Sequence, residues 1–203
     1  NLIRPMSVVA QEAINYISGR RDHSITSLKT RWAKFNKQCM GGIEPNTVYT
    51  IAGISGSGKS SFANEISTDI VDLNPGEEIV ILIFSLEMVG FRTSTLYSSE
   101  TDLDDDTFRK VISVSNQLKE YPIWFVDNPT TPKEAEDIIK YFYNTYIKGT
   151  DKHFVIMYDH ALLTKPIGSV IETMQELERV FISAKKYPMT SVLQLAQMNR
   201  NIE

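Results

Sequence analysis

The amino-acid sequence predicts an α/β fold, a three-layer sandwich built around a mainly parallel sheet. Short and nearly continuous apolar runs, the pattern of parallel strands buried on both faces, alternate with segments whose apolar residues recur at helical spacing. A glycine-rich loop also lies between the first of these runs and a helical segment. Repeated alternation of this kind implies right-handed crossovers, so ligands are expected at the carboxyl ends of the strands.

The apolar runs and the helical stripes give the order of the elements. Five runs are predicted as strands: Val48–Ala52, Ile79–Phe84, Ile123–Val126, Phe154–Tyr158 and Val192–Leu195. One helical stripe consists of Ala135, Ile138, Ile139, Phe142, Tyr146 and Ile147, and another of Val170, Met174, Leu177, Phe181 and Ala184. We interpret the aromatic residues and Met174 in these stripes as core residues and not as ligand contacts.

Composition excludes several classes of protein. The chain has 203 residues, of which 42% are hydrophobic, and no apolar run approaches the roughly 20 residues that span a bilayer. The single cysteine, Cys39, cannot form an intramolecular disulfide, which favours a cytoplasmic location. The 21 basic and 25 acidic residues give a net charge of −4, so nucleic acid is not expected to bind through bulk charge. Local contacts with nucleic acid remain compatible with this composition.

The segment from Gly53 to Ser60 fits the phosphate-binding pattern GxxxxGK[ST] at every fixed position. Glycines let backbone amides turn toward phosphates, and the start of the following helix presents unpaired N–H groups. Lys59 would reach the β and γ phosphates, and the Ser60 hydroxyl would coordinate Mg²⁺. The predicted nucleotide-binding residues are Gly53, Ser55, Gly56, Ser57, Gly58, Lys59, Ser60 and Ser61. The alternative is a Gly/Ser-rich turn that binds no ligand.

Three polar residues follow predicted strands, at the sheet edge where the glycine loop is expected. They are Glu87, Asp159 and Gln197. Hydrolysis of a triphosphate needs a second group on Mg²⁺, a carboxylate that acts on water and a polar contact to the γ phosphate. Asp159, Glu87 and Gln197 match these needs in that order. Any one of them alone would be interpreted as a helix cap or a solvated loop residue, but their combination with the phosphate loop favours a catalytic site.

Four segments together resemble the ATPase domain of DnaB-type replicative DNA helicases. They are Gly41–Pro45, Ser85–Met88, Asp159 and Gln197–Arg200, and the resemblance extends from about Ile25 to the end of the chain. It implies a RecA-like P-loop NTPase with ATP and Mg²⁺ as cofactors. Lys59, Glu87 and Gln197 would be the catalytic residues, and Ser60 and Asp159 would hold the metal.

The resemblance also implies a set of partners. Such helicases form hexameric rings that thread single-stranded DNA and unwind duplex DNA during replication. A primase or a helicase loader is an expected partner, a membrane is not, and the expected location is the cytoplasm of a bacterial or phage-infected cell. Two alternatives remain open. One is a RecA-like recombinase or another DNA-dependent ATPase that does not unwind DNA, and the other is a nucleotide-gated scaffold or loader that does not hydrolyse ATP.

The sequence departs from the family pattern at two points near the site. His160 occupies the position after the aspartate where the family usually has tyrosine, and the phosphate loop lacks a proline that is common there. We interpret His160 as a packed residue at a strand end. The resemblance further implies that additional strands, DNA-binding loops and an arginine acting on the neighbouring subunit lie beyond Glu203. The core is therefore expected to be truncated at its carboxyl end.

The chain is predicted to contain two parts, a linker helix over residues 1–21 and an ATPase core over residues 22–203. Apolar residues at helical spacing define the helix, with Gly19 as its expected stop: Val9, Ala10, Ala13, Ile14 and Ile17. The family resemblance favours docking of this helix on an adjacent subunit over packing on its own core. The acidic run Asp102–Asp106 is interpreted as the start of another helix, where carboxylates complement the helix dipole, and not as a metal site.

Overall fold

The computed structural model describes residues 3–86 and 104–198, and all five predicted strands are present in it. The strands are β1 (Val48–Gly53), β2 (Ile79–Ser85), β3 (Ile123–Val126), β4 (His153–Asp159) and β5 (Thr190–Gln197). The α-helices are α1 (Met6–Arg21), α2 (Ala33–Gln38), α3 (Lys59–Asp72), α4 (Asp105–Leu118), α5 (Pro132–Phe142) and α6 (Val170–Ala184). A π-helical turn (Tyr143–Ile147) extends α5, and a 3₁₀-helix (Ala161–Leu163) follows β4.

The five strands form one sheet in the order β1-β5-β4-β2-β3, and all of the pairings in the described part of the chain are parallel. Because the strands run in the same direction, their carboxyl ends lie at one edge of the sheet. The predicted α/β class with a mainly parallel sheet is confirmed.

Alternating strand residues face the two outer layers, as the pleat of a strand requires. One face packs against α5 and α6 through Val80, Leu82, Phe84, Phe154, Ile156, Tyr158 and Val192. The other face packs against α3 and part of the amino-terminal segment through Ile79, Ile81, Ile83, Val155, Met157, Leu193 and Leu195. Helices therefore cover both faces of the sheet, which explains why the strands appear in the sequence as continuous apolar runs.

The two helices on the first face begin at reciprocal capping boxes. The Thr131 side chain accepts a hydrogen bond from the backbone of Glu134, whose carboxylate accepts one from the Thr131 backbone, and Ser169 and Glu172 form the same arrangement at α6. These hydrogen bonds lower the pKa of both glutamates. The caps satisfy backbone donors that would otherwise be unpaired, so they define where α5 and α6 begin.

The segment between α1 and β1 is tied to the sheet and to α3. Leu28 and Ile43, both fully buried, exchange two backbone hydrogen bonds of 2.9 and 2.8 Å. The Arg31 guanidinium donates to both carboxylate oxygens of Asp69 on α3, at distances of 2.7 to 3.0 Å, and Asp69 is buried. The Trp32 ring also contacts Phe62 of α3, with 4.5 Å between ring centroids.

A buried histidine joins this segment to the amino edge of the sheet. The Nε2 atom of His153, at the start of β4, lies 3.3 Å from the Thr26 hydroxyl and 3.4 Å from a carboxylate oxygen of Glu77. Burial lowers the pKa of His153, although the Glu77 carboxylate acts in the opposite direction. The imidazole is therefore held in its neutral form at neutral pH.

The predicted stop of the first helix at Gly19 was wrong, although the helix ends at residue 21, the predicted end of the linker. Helix α1 continues past Gly19 to Arg21, and the Asp22 N–H then bonds the carbonyl of Ser18. Gly19 is buried, and a β-carbon there would lie 2.7 Å from the Ile25 side chain. The absence of a side chain at Gly19 lets Ile25 pack closely against the helix, and the helix does not end there. The apolar residues of α1 are exposed, with Ile17 at 65%.

Two residues of the predicted core stripes are largely exposed. Val170 is 63% exposed because it is the first residue of α6, where a helical side chain leans past the start of its own helix. Tyr146 is 43% exposed because the wider π-helical turn changes the angular spacing of the stripe. The Tyr146 ring nevertheless contacts Trp124 and Phe142.

Candidate active site

The glycine loop connects the carboxyl end of β1 to the amino end of α3. Gly56 and Gly58 have φ values of +78° and +84°, a backbone conformation that residues with a β-carbon rarely adopt. A β-carbon at either position would meet no atom within 4 Å, so the space beside both glycines is open. The main chain of this loop, called the cradle below, therefore leaves room for a phosphate group beside Gly56 and Gly58.

The start of α3 faces this cradle. Among the described residues, no side chain caps the helix at Gly58, and the first N–H groups of a helix have no partner within the helix itself. Lys59 and Ser60 are half-buried at this helix start, and Ser55, Ser57 and Ser61 are exposed around it. The helix terminus therefore offers backbone donors, a positive dipole end and an ammonium group to an anion.

Lys59 is engaged with its own loop. Its ammonium group donates a hydrogen bond of 3.0 Å to the carbonyl oxygen of Ile54, which also accepts one of 3.2 Å from the Ser57 N–H. The Lys59 side chain therefore folds back over the loop. An anion in the cradle would compete with the Ile54 carbonyl for this ammonium group.

Gln197 lies directly beside the glycine loop. In the parallel pairing of β1 with β5, Gly53 is opposite Gln197, and the Met198 N–H donates a 3.0 Å hydrogen bond to the Gly53 carbonyl. The Gln197 side chain is exposed at this edge. The predicted proximity of Gln197 to the phosphate loop is confirmed, because adjacent strands connect them.

Asp159 ends β4 at the same edge. It is half-buried and lies opposite Ser85 in the pairing of β4 with β2, and its carbonyl accepts a 2.7 Å hydrogen bond from the Leu86 N–H. The Asp159–His160 peptide bond is cis, and His160 is buried as expected for a packed residue. Glu87, the predicted residue that acts on water, lies outside the described residues.

The residues at this edge fit a magnesium nucleotide. Mg²⁺ is usually held by one or two protein oxygens together with phosphate oxygens, and Ser60 and Asp159 offer oxygens of this kind. Within residues 3–86 and 104–198, no group of three His, Cys, Asp or Glu side chains could hold a metal ion. The acidic residues Asp105 and Asp106 lie in the first turn of α4, so their predicted role as a helix start is confirmed.

Sequence reasoning missed a buried hydrogen-bond network behind the site. The hydroxyl of Tyr158, the residue before Asp159, lies 3.0 Å from the Thr164 hydroxyl and 3.4 Å from that of Thr130. Burial raises the pKa of Tyr158, although the two hydrogen bonds act in the opposite direction. A signal was present in the sequence, since a tyrosine within a buried strand needs a partner for its hydroxyl.

No helix in the described part of the chain has the length and hydropathy needed to cross a bilayer.

Solved structures share the fold of this chain. One structure, described as an ATPase domain, has a TM-score of 0.72 and 16% sequence identity, with 94% of this chain and 71% of that chain covered. A DnaB-like replicative helicase, described with its interactions with primase, has a TM-score of 0.71 and 15% identity. In that comparison 94% of this chain is covered, but this chain spans only 48% of the other. These similarities confirm the predicted RecA-like fold.

A search of curated proteins found no match. The sequence model of the DnaB-like helicase C terminal domain, in contrast, matches residues 27–203, which is most of the chain. The match begins close to Ile25, where the resemblance was predicted to begin. The chain therefore belongs to the family of DnaB-like helicase C-terminal domains.

Proposed function

We propose that this chain is a replicative helicase motor that hydrolyses ATP with Mg²⁺, moves along single-stranded DNA and unwinds duplex DNA. The single observation that supports it most is the sheet edge where the phosphate loop, Asp159 and Gln197 come together. ATP hydrolysis needs these groups within reach of one triphosphate, and three separate strands deliver them to one edge. Membership of the DnaB-like family supports the choice of helicase over other ATPases.

The proposed roles follow from the chemistry of each side chain. The Lys59 ammonium would exchange the Ile54 carbonyl for phosphate oxygens, and Ser60 and Asp159 would hold Mg²⁺. The metal ion would neutralise charge on the phosphates when bound. Glu87 would orient and deprotonate the attacking water, and the Gln197 amide would contact the terminal phosphate.

Assembly into a hexameric ring is part of the proposal. The apolar residues of α1, which are exposed in the single chain, would be buried on an adjacent subunit of such a ring. DNA would bind through local contacts, since the net charge is −4. One structural relative is described with primase, so we propose a primase or a helicase loader as a further partner in the cytoplasm.

The experiment that tests this function separates nucleotide binding from turnover. Lys59→Ala should weaken binding of a fluorescent ATP analogue, because Lys59 contacts the phosphates. Glu87→Gln should leave binding intact and slow turnover stimulated by single-stranded DNA by a factor on the order of 10² or more. Lys186→Ala and Glu120→Gln are matched controls, since both residues are exposed and precede β5 and β3 at the opposite edge of the sheet.

Each outcome distinguishes the proposal from one alternative. Equal loss of binding in Lys59→Ala and Glu87→Gln would contradict the assigned roles. The absence of any turnover would favour the scaffold. Turnover that DNA does not stimulate would contradict a motor that moves along DNA. Stimulated turnover without displacement of a strand from a forked DNA substrate would favour a recombinase or another DNA-dependent ATPase.

A further inference from the structure

We propose that the Tyr158 hydroxyl positions the carboxylate of Asp159 for Mg²⁺, by tying together the two loops that flank the carboxyl end of β2. This inference rests on the proposed function, because that function assigns Asp159 to the metal. Tyr158 would be a positioning residue, since it acts through the main chain and does not itself contact the nucleotide.

The Tyr158 hydroxyl makes its contacts in a fully enclosed environment. Tyr158 is 0% exposed, and its two partners, Thr130 and Thr164, are almost completely buried. The hydroxyl lies 3.0 Å from the Thr164 oxygen and 3.4 Å from the Thr130 oxygen, and each of the three groups can either donate or accept. A buried hydroxyl that loses its partners is costly, so the three groups hold one another in place.

The two threonines belong to loops that leave different strands. Thr130 follows β3 and Thr164 follows β4, and β2 separates these strands in the sheet. The loops nevertheless meet, because the Lys165 N–H donates a 2.8 Å hydrogen bond to the Thr130 carbonyl. The loop after β3 therefore reaches past the end of β2, and the Tyr158 hydroxyl lies at the junction of the two loops.

The aromatic ring that carries this hydroxyl is held on both sides. Phe84 of β2 stacks on it with 4.9 Å between ring centroids, and Phe181 of α6 meets it edge-on at 5.3 Å. A ring fixed in this way presents its hydroxyl at one point in space. The Thr164 hydroxyl is therefore held at a fixed position relative to β4, the strand that ends at Asp159.

The four residues between Asp159 and Thr164 are consequently anchored at both ends. At one end, the Asp159 carbonyl accepts the hydrogen bond from Leu86. At the other end, Thr164 is bonded to Tyr158, and the next residue, Lys165, is bonded to Thr130. Loss of the Tyr158 hydroxyl would remove the side-chain contact of the second anchor, which would keep only the backbone hydrogen bond of Lys165, and would leave the first anchor intact. The segment that leads away from Asp159 would then adopt more than one conformation, and the carboxylate would be less well placed for Mg²⁺.

The test compares two tyrosines that each lose one hydrogen-bonded hydroxyl, that of the buried Tyr158 and that of the partly buried Tyr49. Tyr158→Phe keeps the ring contacts and removes only the hydroxyl. Tyr49→Phe is the control, because the Tyr49 hydroxyl also has two partners, the Glu44 N–H at 2.9 Å and the Gly42 carbonyl at 3.3 Å. Tyr49 lies near the start of β1, away from the site.

Binding of a fluorescent ADP analogue is measured over a series of Mg²⁺ concentrations. In Tyr158→Phe, binding without Mg²⁺ should be unchanged, and the Mg²⁺ concentration for half-maximal tightening should rise about tenfold, the lower end of the effect of removing a group that supports a metal ligand. Tyr49→Phe should retain the native Mg²⁺ dependence. Thr164→Val should reproduce the effect of Tyr158→Phe, and Thr164→Ser should restore native behaviour because it keeps the hydroxyl.

Asp159→Ala separates failure of this inference from failure of the proposed function. If Asp159→Ala weakens the Mg²⁺ dependence while Tyr158→Phe and Thr164→Val do not, the positioning role is wrong and the metal assignment stands. If Asp159→Ala has no effect either, the metal assignment is wrong, and the inference fails with it. If Tyr158→Phe does not fold, the comparison of Thr164→Val with Thr164→Ser decides the question by the same measurement.

Discussion

Replacement of Gly42 by alanine should destabilise the protein strongly, although it adds only one methyl group. Gly42 has a φ of +140°, which only glycine adopts without strain, and it precedes the point where Ile43 pairs with Leu28. An alanine β-carbon would lie 2.0 Å from the Leu28 carbonyl oxygen and 2.7 Å from its carbonyl carbon. Backbone atoms cannot rotate out of the way, so the two segments would have to separate.

The magnitude has two contributions. A residue with a β-carbon in this region of φ costs about 1–3 kcal/mol. Separation of the segments would break the two hydrogen bonds between Leu28 and Ile43, at about 1 kcal/mol each. Together they predict a loss of about 3–5 kcal/mol in the free energy of unfolding, before any exposure of the Leu28 and Ile43 side chains. This is a large part of the stability of an ordinary domain.

Urea denaturation followed by tryptophan fluorescence measures this loss, and Trp32 reports on the affected segment through its contact with Phe62. Gly76→Ala is the control, because a β-carbon there would meet no atom within 4 Å and its φ lies outside the left-handed range. That control should change the free energy of unfolding by less than about 1 kcal/mol. A loss in Gly42→Ala no greater than in Gly76→Ala would refute the reasoning.

Three further predictions concern pH, an ion pair and assembly. Burial lowers the pKa of His153. The contribution of His153 to stability should therefore be complete above about pH 6.5 and should fall as the pH drops below that value. His153→Gln should make the melting temperature depend less on pH in this range. Arg31→Lys should lower the melting temperature, and Arg31→Ala should lower it further because alanine leaves the buried Asp69 carboxylate without a counter-charge. Equal melting temperatures for the native protein and both variants would contradict this. Ile17→Glu should weaken self-association roughly tenfold or more in sedimentation while Ser7→Glu does not, and an identical size distribution for both would exclude α1 from the subunit contact.

The elements with a distinct local residue pattern could be predicted from the sequence. The strands β2 and β4 were identified because their side chains are buried on both faces of the sheet, which leaves an unbroken apolar run in the sequence. The glycine loop between β1 and α3 was predicted because its pattern requires glycine at Gly58, where the backbone has a φ of +84°. In both cases, a local physical requirement restricts the residue type at each position, so the element can be recognised in the sequence without knowledge of the tertiary structure.

Features that depend on distant contacts could not be predicted in this way. The predicted stop of α1 at Gly19 was wrong because the role of Gly19 depends on the Ile25 side chain, which approaches only after the chain has turned back. The hydroxyl network of Tyr158 was missed because its partners, Thr130 and Thr164, come from two loops whose meeting depends on the strand order. A serine or threonine in a loop has no periodic signal, so the sequence does not show which buried group it will bond.

The position of Gln197 shows how core packing determines the geometry of the site. Strand β5 pairs with β1 on one side and with β4 on the other, and the pairing places Gln197 beside Gly53. If β5 moved by one residue, the fully buried side chains of Leu193 and Leu195 would turn to the opposite face of the sheet. Both faces of the sheet are covered, so such a shift would cost the fitted packing around the leucines, whereas an exposed glutamine contributes little to stability. The leucines therefore hold the register, and the glutamine lies beside the phosphate loop as a consequence of that register.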